Sequence, residues 1–167
     1  MKIRQGFVSN SSSSSFVVGF KRGAVPQSAA EVQKLLFGDA EQVHYYEHTI
    51  QAKEAAEQVF GDMTREPHTP EKIEEAVLGG YLDGEPELPD DVYRLKDEAW
   101  RQAWDAYDQR REAFHRQVLE QLLAKAKAED LVLYSFTYAD EDGHFYMVME
   151  HGGIFERAPL SFRISNH

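Results

Sequence analysis

The spacing of apolar residues changes several times along the chain, and each change marks an element. Phe16-Val17-Val18-Gly19-Phe20 is a continuous aromatic and β-branched run, which predicts a strand over 16–20. Beyond a Lys21-Arg22-Gly23 turn the period lengthens to three or four. Val32, Leu35 and Leu36 form a helical stripe between a capping box, Ser28 with Glu31, and the stop signal Gly38. Val43-His44-Tyr45-Tyr46 predicts a short strand. Thr49 is placed to cap a helix over 50–60, with Ala52, Ala55, Ala56, Val59 and Phe60 on one side. Thr69-Pro70-Glu71 opens the next helix with a cap, a Pro at the first helical position and an acid in the first turn. Ile73, Ala76, Val77 and Leu78 supply its apolar side, and Gly79-Gly80 ends it.

An acidic Gly/Pro loop over 79–90 follows, and Asp90 or Asp91 is positioned to cap the longest element. From Val92 to about Ala128 there is no Gly or Pro, and Trp100, Ala103, Tyr107, Phe114, Val118 and Leu122 recur at helical spacing. A helix over 92–128 is about 50 Å long at 1.5 Å per residue. It requires a partner helix in the chain, or it projects one end toward another protein. Its tryptophans are expected to pack in the core. The period then shortens. Residues 131–138 predict a strand, Asp140-Glu141-Asp142-Gly143 a hairpin turn, and 144–150 the returning strand. In that strand His144, Tyr146, Val148 and Glu150 share the outer face, with Phe145, Met147 and Met149 on the core face. His151-Gly152-Gly153 turns the chain again, and 160–164 alternates as a last strand. Helices and strands are segregated, which predicts one α+β domain over 1–167: a small antiparallel sheet of about four strands with helices packed on one face.

One polar run breaks this pattern. Ser9, Asn10, Ser11, Ser12, Ser13, Ser14 and Ser15 stand between Phe7-Val8 and Phe16. Apolar flanks so close on both sides argue against a flexible linker and predict a loop over 9–15 with anchored ends. Serine and asparagine side chains bond readily to nearby backbone, so such a loop can be compact and rigid. Its hydroxyls also suit recognition or covalent modification, phosphorylation among them. Anion binding has little support, because the loop holds neither the glycines nor the lysine of a phosphate-binding loop. Self-cleavage would require a strained peptide bond before one of the serines. The string Gly-Phe-Val-Ser-Asn, five serines, Phe and Val over 6–17 resembles the N-terminal stretch of many small uncharacterised proteins from bacteria and their phages. The resemblance covers about a tenth of the chain and implies such an origin without implying an activity.

Composition narrows the function classes. A chain of 167 residues is long enough for one real core, and it has no cysteine, which excludes disulfides, a thiol nucleophile and a Cys-based zinc site. No apolar run reaches membrane-spanning length and no signal-like segment follows Met1, so a cytoplasmic protein without a membrane partner is expected. The net charge of −11 disfavours direct nucleic-acid binding. The same charge raises the reading of an acidic DNA mimic, although acids and bases interleave on the long helix.

Two histidine groups bear on catalysis. His44-Tyr45-Tyr46-Glu47-His48 fits H-x-x-E-H, the inverted zinc-protease pattern, in which His44 and His48 bind zinc and Glu47 is the general base. That chemistry needs both histidines on one helical face, and the local pattern favours a strand. His144, His151 and His167, near Glu150 and Glu156, form a second group compatible with metal but also with ordinary surface histidines. The 140–143 acids are too few for a calcium loop, and Arg110-Arg111 is expected to lie along the apolar stripe. The sequence therefore points to a non-enzymatic accessory or interaction protein with no cofactor and a protein partner, the serine segment being its recognition or modification site. A zinc-dependent hydrolase on His44, Glu47 and His48 is the alternative.

Overall fold

The computed structural model describes residues 13–64, 66–140 and 143–166, which leaves Ser9, Asn10, Ser11, Ser12, Glu141, Asp142 and His167 outside the described residues. In chain order the elements are β1 (Ser13–Lys21), α1 (Ala29–Leu36), β2 (Gln42–Tyr45), β3 (His48–Gln51), α2 (Ala52–Asp62) and α3 (Pro70–Gly79). They continue with α4 (Asp97–Ala128), β4 (Leu131–Ala139), α5 (His144–His151) and β5 (Leu160–Asn166).

The near-continuous apolar run of β1 has its cause in topology. β1 is the middle strand of a three-stranded antiparallel sheet in the order β4-β1-β5, with Phe16 opposite Phe136 on one side and Arg163 on the other. Successive side chains point to opposite faces, and both faces are covered. Phe16, Val18 and Phe20 join Val132, Tyr134 and Phe136 in a core roofed by α1, α2 and α5. Val17 joins Leu131, Leu133, Leu160 and Ile164 under α3 and α4. Each fully buried side chain of this size contributes about 1.5–3 kcal/mol, so β1 anchors two cores at once. Gly19 is the exception to the run for a steric reason: a Cβ there would lie 2.9 Å from Leu131 Cδ1 and 3.1 Å from Leu160 Cβ.

The α+β class and the long helix are present, while the arrangement departs from expectation. The sheet has three strands, with β2 and β3 forming a separate two-stranded hairpin, and helices cover both faces instead of one. Residues 144–150 are not a returning strand but helix α5. The run Phe145-Tyr146-Met147-Val148-Met149 is apolar throughout, so its period cannot decide between strand and helix. Gly143, at φ 106°, starts the helix, which packs Val148 and Met149 into the first core with Phe145 against it. The helix placed at 50–60 is α2, which begins at Ala52, because Thr49 and Ile50 belong to β3. Asp90 and Asp91 do not cap α4. Residues 92–94 form a 3₁₀ turn that buries Val92, and α4 begins at Asp97. Ser13, Ser14 and Ser15, expected in a loop, are paired in β1 instead.

At 32 residues α4 is about 48 Å long, and its two halves differ. Leu119, Leu122 and Ala126 pack into the second core, whereas no residue from 97 to 114 is buried. The tryptophans lie in that second stretch. Trp100 is 42 % exposed, against the expectation of a core residue. No helix is long and apolar enough to cross a membrane, among the described residues.

Candidate functional site

Two places gather polar chemistry. The first lies on the α5 side of the sheet, where β1 begins. Strand alternation puts Ser14 on the same face as Phe16 and Val18, and β5 brings Arg163 to that face beside it. The last turn of α5 lowers Glu150 onto both. Ser14 is fully buried and donates to Glu150 Oε1 at 2.8 Å, while accepting from Arg163 Nε at 3.0 Å and Nη2 at 2.8 Å. Arg163 Nη2 lies 3.6 Å from Glu150 Oε1 and donates to His151 Nδ1 at 3.3 Å. His151 Nε2 is 3.6 Å from the same carboxylate oxygen, and its ring stacks on Tyr45 at 4.9 Å. Asp140, at the end of β4, completes the group. Glu150 Oε2 is buried and makes no hydrogen bond among the described residues.

This geometry decides what Ser14 can do. A hydroxyl has one proton and two lone pairs; Ser14 gives the proton to Glu150 and both lone pairs to Arg163. No lone pair is left for attack on a substrate, and a fully buried hydroxyl is out of reach of a modifying enzyme. Ser15 faces the other way, 2.9 Å from Thr137 Oγ1, and is partly exposed. Ser13 is partly buried in the same strand.

The second place is on the projecting half of α4. Trp104, Tyr107, Asp108 and Arg111 face Tyr81, Leu88 and Tyr93 across a cleft of about 330 Å³. Trp100 packs on Trp104 at 5.9 Å between ring centroids, and Trp104 meets Tyr107 edge-on at 5.8 Å. Tyr93 is 76 % exposed. The Arg111 guanidinium lies over the Tyr81 ring at 5.0 Å, a cation–π arrangement. Trp104 Nε1 is buried and has no acceptor among the described residues.

A buried polar knot holds the far wall of this cleft in place. Glu85 Oε2 accepts from Leu82 N at 3.2 Å and Arg111 Nε at 3.4 Å, and lies 2.9 Å from His115 Nε2. Arg111 Nη2 donates to Gly80 O at 2.7 Å. The loop after α3 is thereby tied to one turn of α4. Burial pushes the Glu85 carboxyl up, but the hydrogen bonds from His115 and Leu82 N and the charge of Arg111 outweigh it and hold it below its ordinary value. Burial also raises the Tyr107 hydroxyl, with the Glu85 charge acting in the same direction.

The H-x-x-E-H residues lie elsewhere in a different geometry. Residues 42–51 form the β2–β3 hairpin, with Tyr46 and Glu47 at its turn. His44 pairs with Thr49, hydrogen-bonded Nδ1 to Oγ1 at 2.9 Å, and Tyr45 pairs with His48. His44 and His48 therefore point to opposite faces of the hairpin, and the shared helical face that the motif requires is not formed. His48 stacks instead near His144, at 6.2 Å between rings. Of the C-terminal histidine group, His151 reaches the Glu150 cluster, His144 is exposed at the start of α5, and Glu156 is exposed.

Sequence reasoning missed Asp140, Arg163, Glu85 and His115 as site residues. Strand alternation in 160–164 was a usable signal for Arg163, because Leu160, Phe162 and Ile164 claim the opposite face. Nothing local marks Glu85 or His115, which meet across 30 residues of chain.

The fold and these two sites define a three-layer α+β protein with a ring-lined cleft and a separate buried polar cluster. No protein-family model matches the chain, and comparison with curated proteins and with solved structures gives no match.

Proposed function

We propose that this is a non-enzymatic accessory protein that binds a basic segment of a partner protein in the cleft on the amino-terminal half of α4. The observation that carries the reading is that cleft: Tyr81, Tyr93, Trp104 and Tyr107 around an open space, on a stretch of helix that buries none of its own residues. Exposed rings on such a face mark a binding surface more often than chance exposure does.

Charge selects the occupant. Residues 81–112 carry ten acids and five bases, in a chain of net charge −11. Aromatic faces attract Lys and Arg cations, and Arg111 over Tyr81 already uses that chemistry inside the site. Asp108 lines the cleft to meet a second cation. The serine segment enters this reading through Ser9, Asn10, Ser11 and Ser12, since Ser14 is committed to the interior. Its likeness to stretches in bacterial and phage proteins supports an origin there.

Trp104 lines this cleft and Trp100, the other tryptophan of the chain, packs on it, so intrinsic fluorescence reports its occupancy. A random-sequence peptide array probed with the full chain should retain peptides enriched in Lys and Arg, and those peptides should perturb the emission. Trp104→Ala removes the ring from the cleft wall, and binding should weaken at least about tenfold. Retention without basic enrichment, or unchanged in Trp104→Ala and Tyr93→Ala, would overturn the reading.

A further inference from the structure

We propose that Asp140, Glu150 and His151 form a site for a divalent first-row transition cation, of the Mn²⁺ or Zn²⁺ type, that fastens the end of β4 to the end of α5. One potential ligand atom from each of the three lies within 4.8 Å of the others. A cation bonded at about 2.1 Å to each in a tetrahedral arrangement holds its ligands about 3.4 Å apart, so the widest pair in the group has to close by up to about 1.4 Å. One imidazole nitrogen with two carboxylate oxygens suits Zn²⁺ and Mn²⁺ better than the all-oxygen shells of Ca²⁺ or Mg²⁺.

The independent observation is the state of the Glu150 carboxylate. Glu150 is 2 % exposed, and its two oxygens are treated differently. Oε1 accepts the Ser14 proton and has Arg163 nearby, while Oε2 is buried without a hydrogen bond. Buried carboxylates are paired, protonated or metal-bound. Here one oxygen is compensated and the other left open. Asp140 and Glu150 bring two negative charges against the single positive charge of Arg163, so the pocket still favours a cation.

His151 is oriented for the role. Tyr45 fixes the plane of its ring, and Arg163 stands against Nδ1, which leaves Nε2 on the Glu150 side as the ligand nitrogen. Coordination through Nε2 places the ring proton on Nδ1, where the Arg163 donor now points. Arg163 is 40 % exposed and is also held to Ser14 through Nε. Its guanidinium tip is therefore the group that moves when a cation enters, and Arg163 opposes binding.

Isothermal titration of the chelator-treated full chain with MnCl₂ and with ZnCl₂ tests this. One saturable equivalent is expected, weakened at least tenfold in Asp140→Asn and in His151→Gln, and strengthened in Arg163→Gln. His144→Gln and His44→Ala should bind as the parent does, which separates this site from adventitious capture by surface histidines. Circular dichroism of each variant checks that the fold is retained. The proposal is overturned by the absence of a saturable equivalent in the parent chain, by binding that survives both Asp140→Asn and His151→Gln, or by loss in His144→Gln. None of these readouts involves the α4 cleft, so the two readings stand or fall separately.

Discussion

The Glu150 cluster and the α4 cleft each hold a buried polar atom without a partner, Glu150 Oε2 in one and Trp104 Nε1 in the other. Their surroundings differ. Around Glu150 the packing is closed: Ser14 is fully buried, Tyr45 covers His151, and the first core lies directly beneath. Around Trp104 it is open, with Tyr93 and Trp100 at the surface and no buried residue among 97–114, Phe114 alone of these reaching the edge of the second core. In the closed site, polar groups are held by three elements at once and removing one strands the rest. In the open site, Tyr93 and Trp100 are exposed and the cleft stands free of protein atoms. The two proposed ligands, a small cation in one place and a peptide in the other, differ because the volume and the charge of the two sites differ.

The sharpest way to break this contrast is Ser14→Ala. Loss of the hydroxyl removes the bridge between Glu150 and Arg163, and hydrogen bonds to charged groups are worth about 1.5–3 kcal/mol. The urea midpoint should fall accordingly, whereas Ser15→Ala, one residue along the same strand, should move it by less than about 1 kcal/mol. Equal effects of the two serines would mean that the Ser14 network does not hold the sheet end together.

A smaller effect is expected at Glu85, which ties the loop after α3 to α4 beside the cleft. Glu85→Gln keeps an acceptor for His115 and removes the charge that Arg111 faces, at a cost of about 1 kcal/mol at pH 7. The Glu85 carboxyl titrates below its ordinary value of 4.5 in the folded chain. Its contribution is therefore fully present above 4.5 and is lost as the pH falls through the lower folded value. Denaturation midpoints of parent and variant, measured from pH 7 downward, should converge in acid. A gap that stays constant with pH would show that the charge is not what ties the loop to α4.

The smallest expected effect on stability is that of Trp100→Ala, within about 0.5 kcal/mol of the parent, although a tryptophan in a core costs several times that. Thermal unfolding of the variant decides between the surface position seen here and a packed one. A drop of the size seen for core aromatics would show that this half of α4 is covered in solution by another copy or another segment.

The capping box at Ser28 and Glu31 was legible in the sequence because it is a local bond, and it forms with Glu31 N donating to Ser28 Oγ. The starts of α1 and α3, the long helix and the run 16–20 were legible for the same reason: caps, propensity and period act over a few residues. Residues 144–150 were not, because five consecutive apolar side chains satisfy a strand and a helix equally. The choice belongs to α5 packing on β4 and the β2–β3 hairpin. The serine run was legible as unusual and misleading as a loop. The ladder bonds of β1 to its two neighbours extend to Ser13, and pairing with strands more than a hundred residues away outweighs the weak strand preference of serine. The sequence by itself thus determined the class of the fold, the long helix and the net charge of −11, while the covering of both sheet faces came from the packing of α3 and α4 opposite α1, α2 and α5. Only the tertiary structure decided which serine is buried, that His44 and His48 part company, and that Asp140, Glu150, His151 and Arg163 meet. Those outcomes depend on register and layer packing, which are set by long-range contacts and leave no local signature.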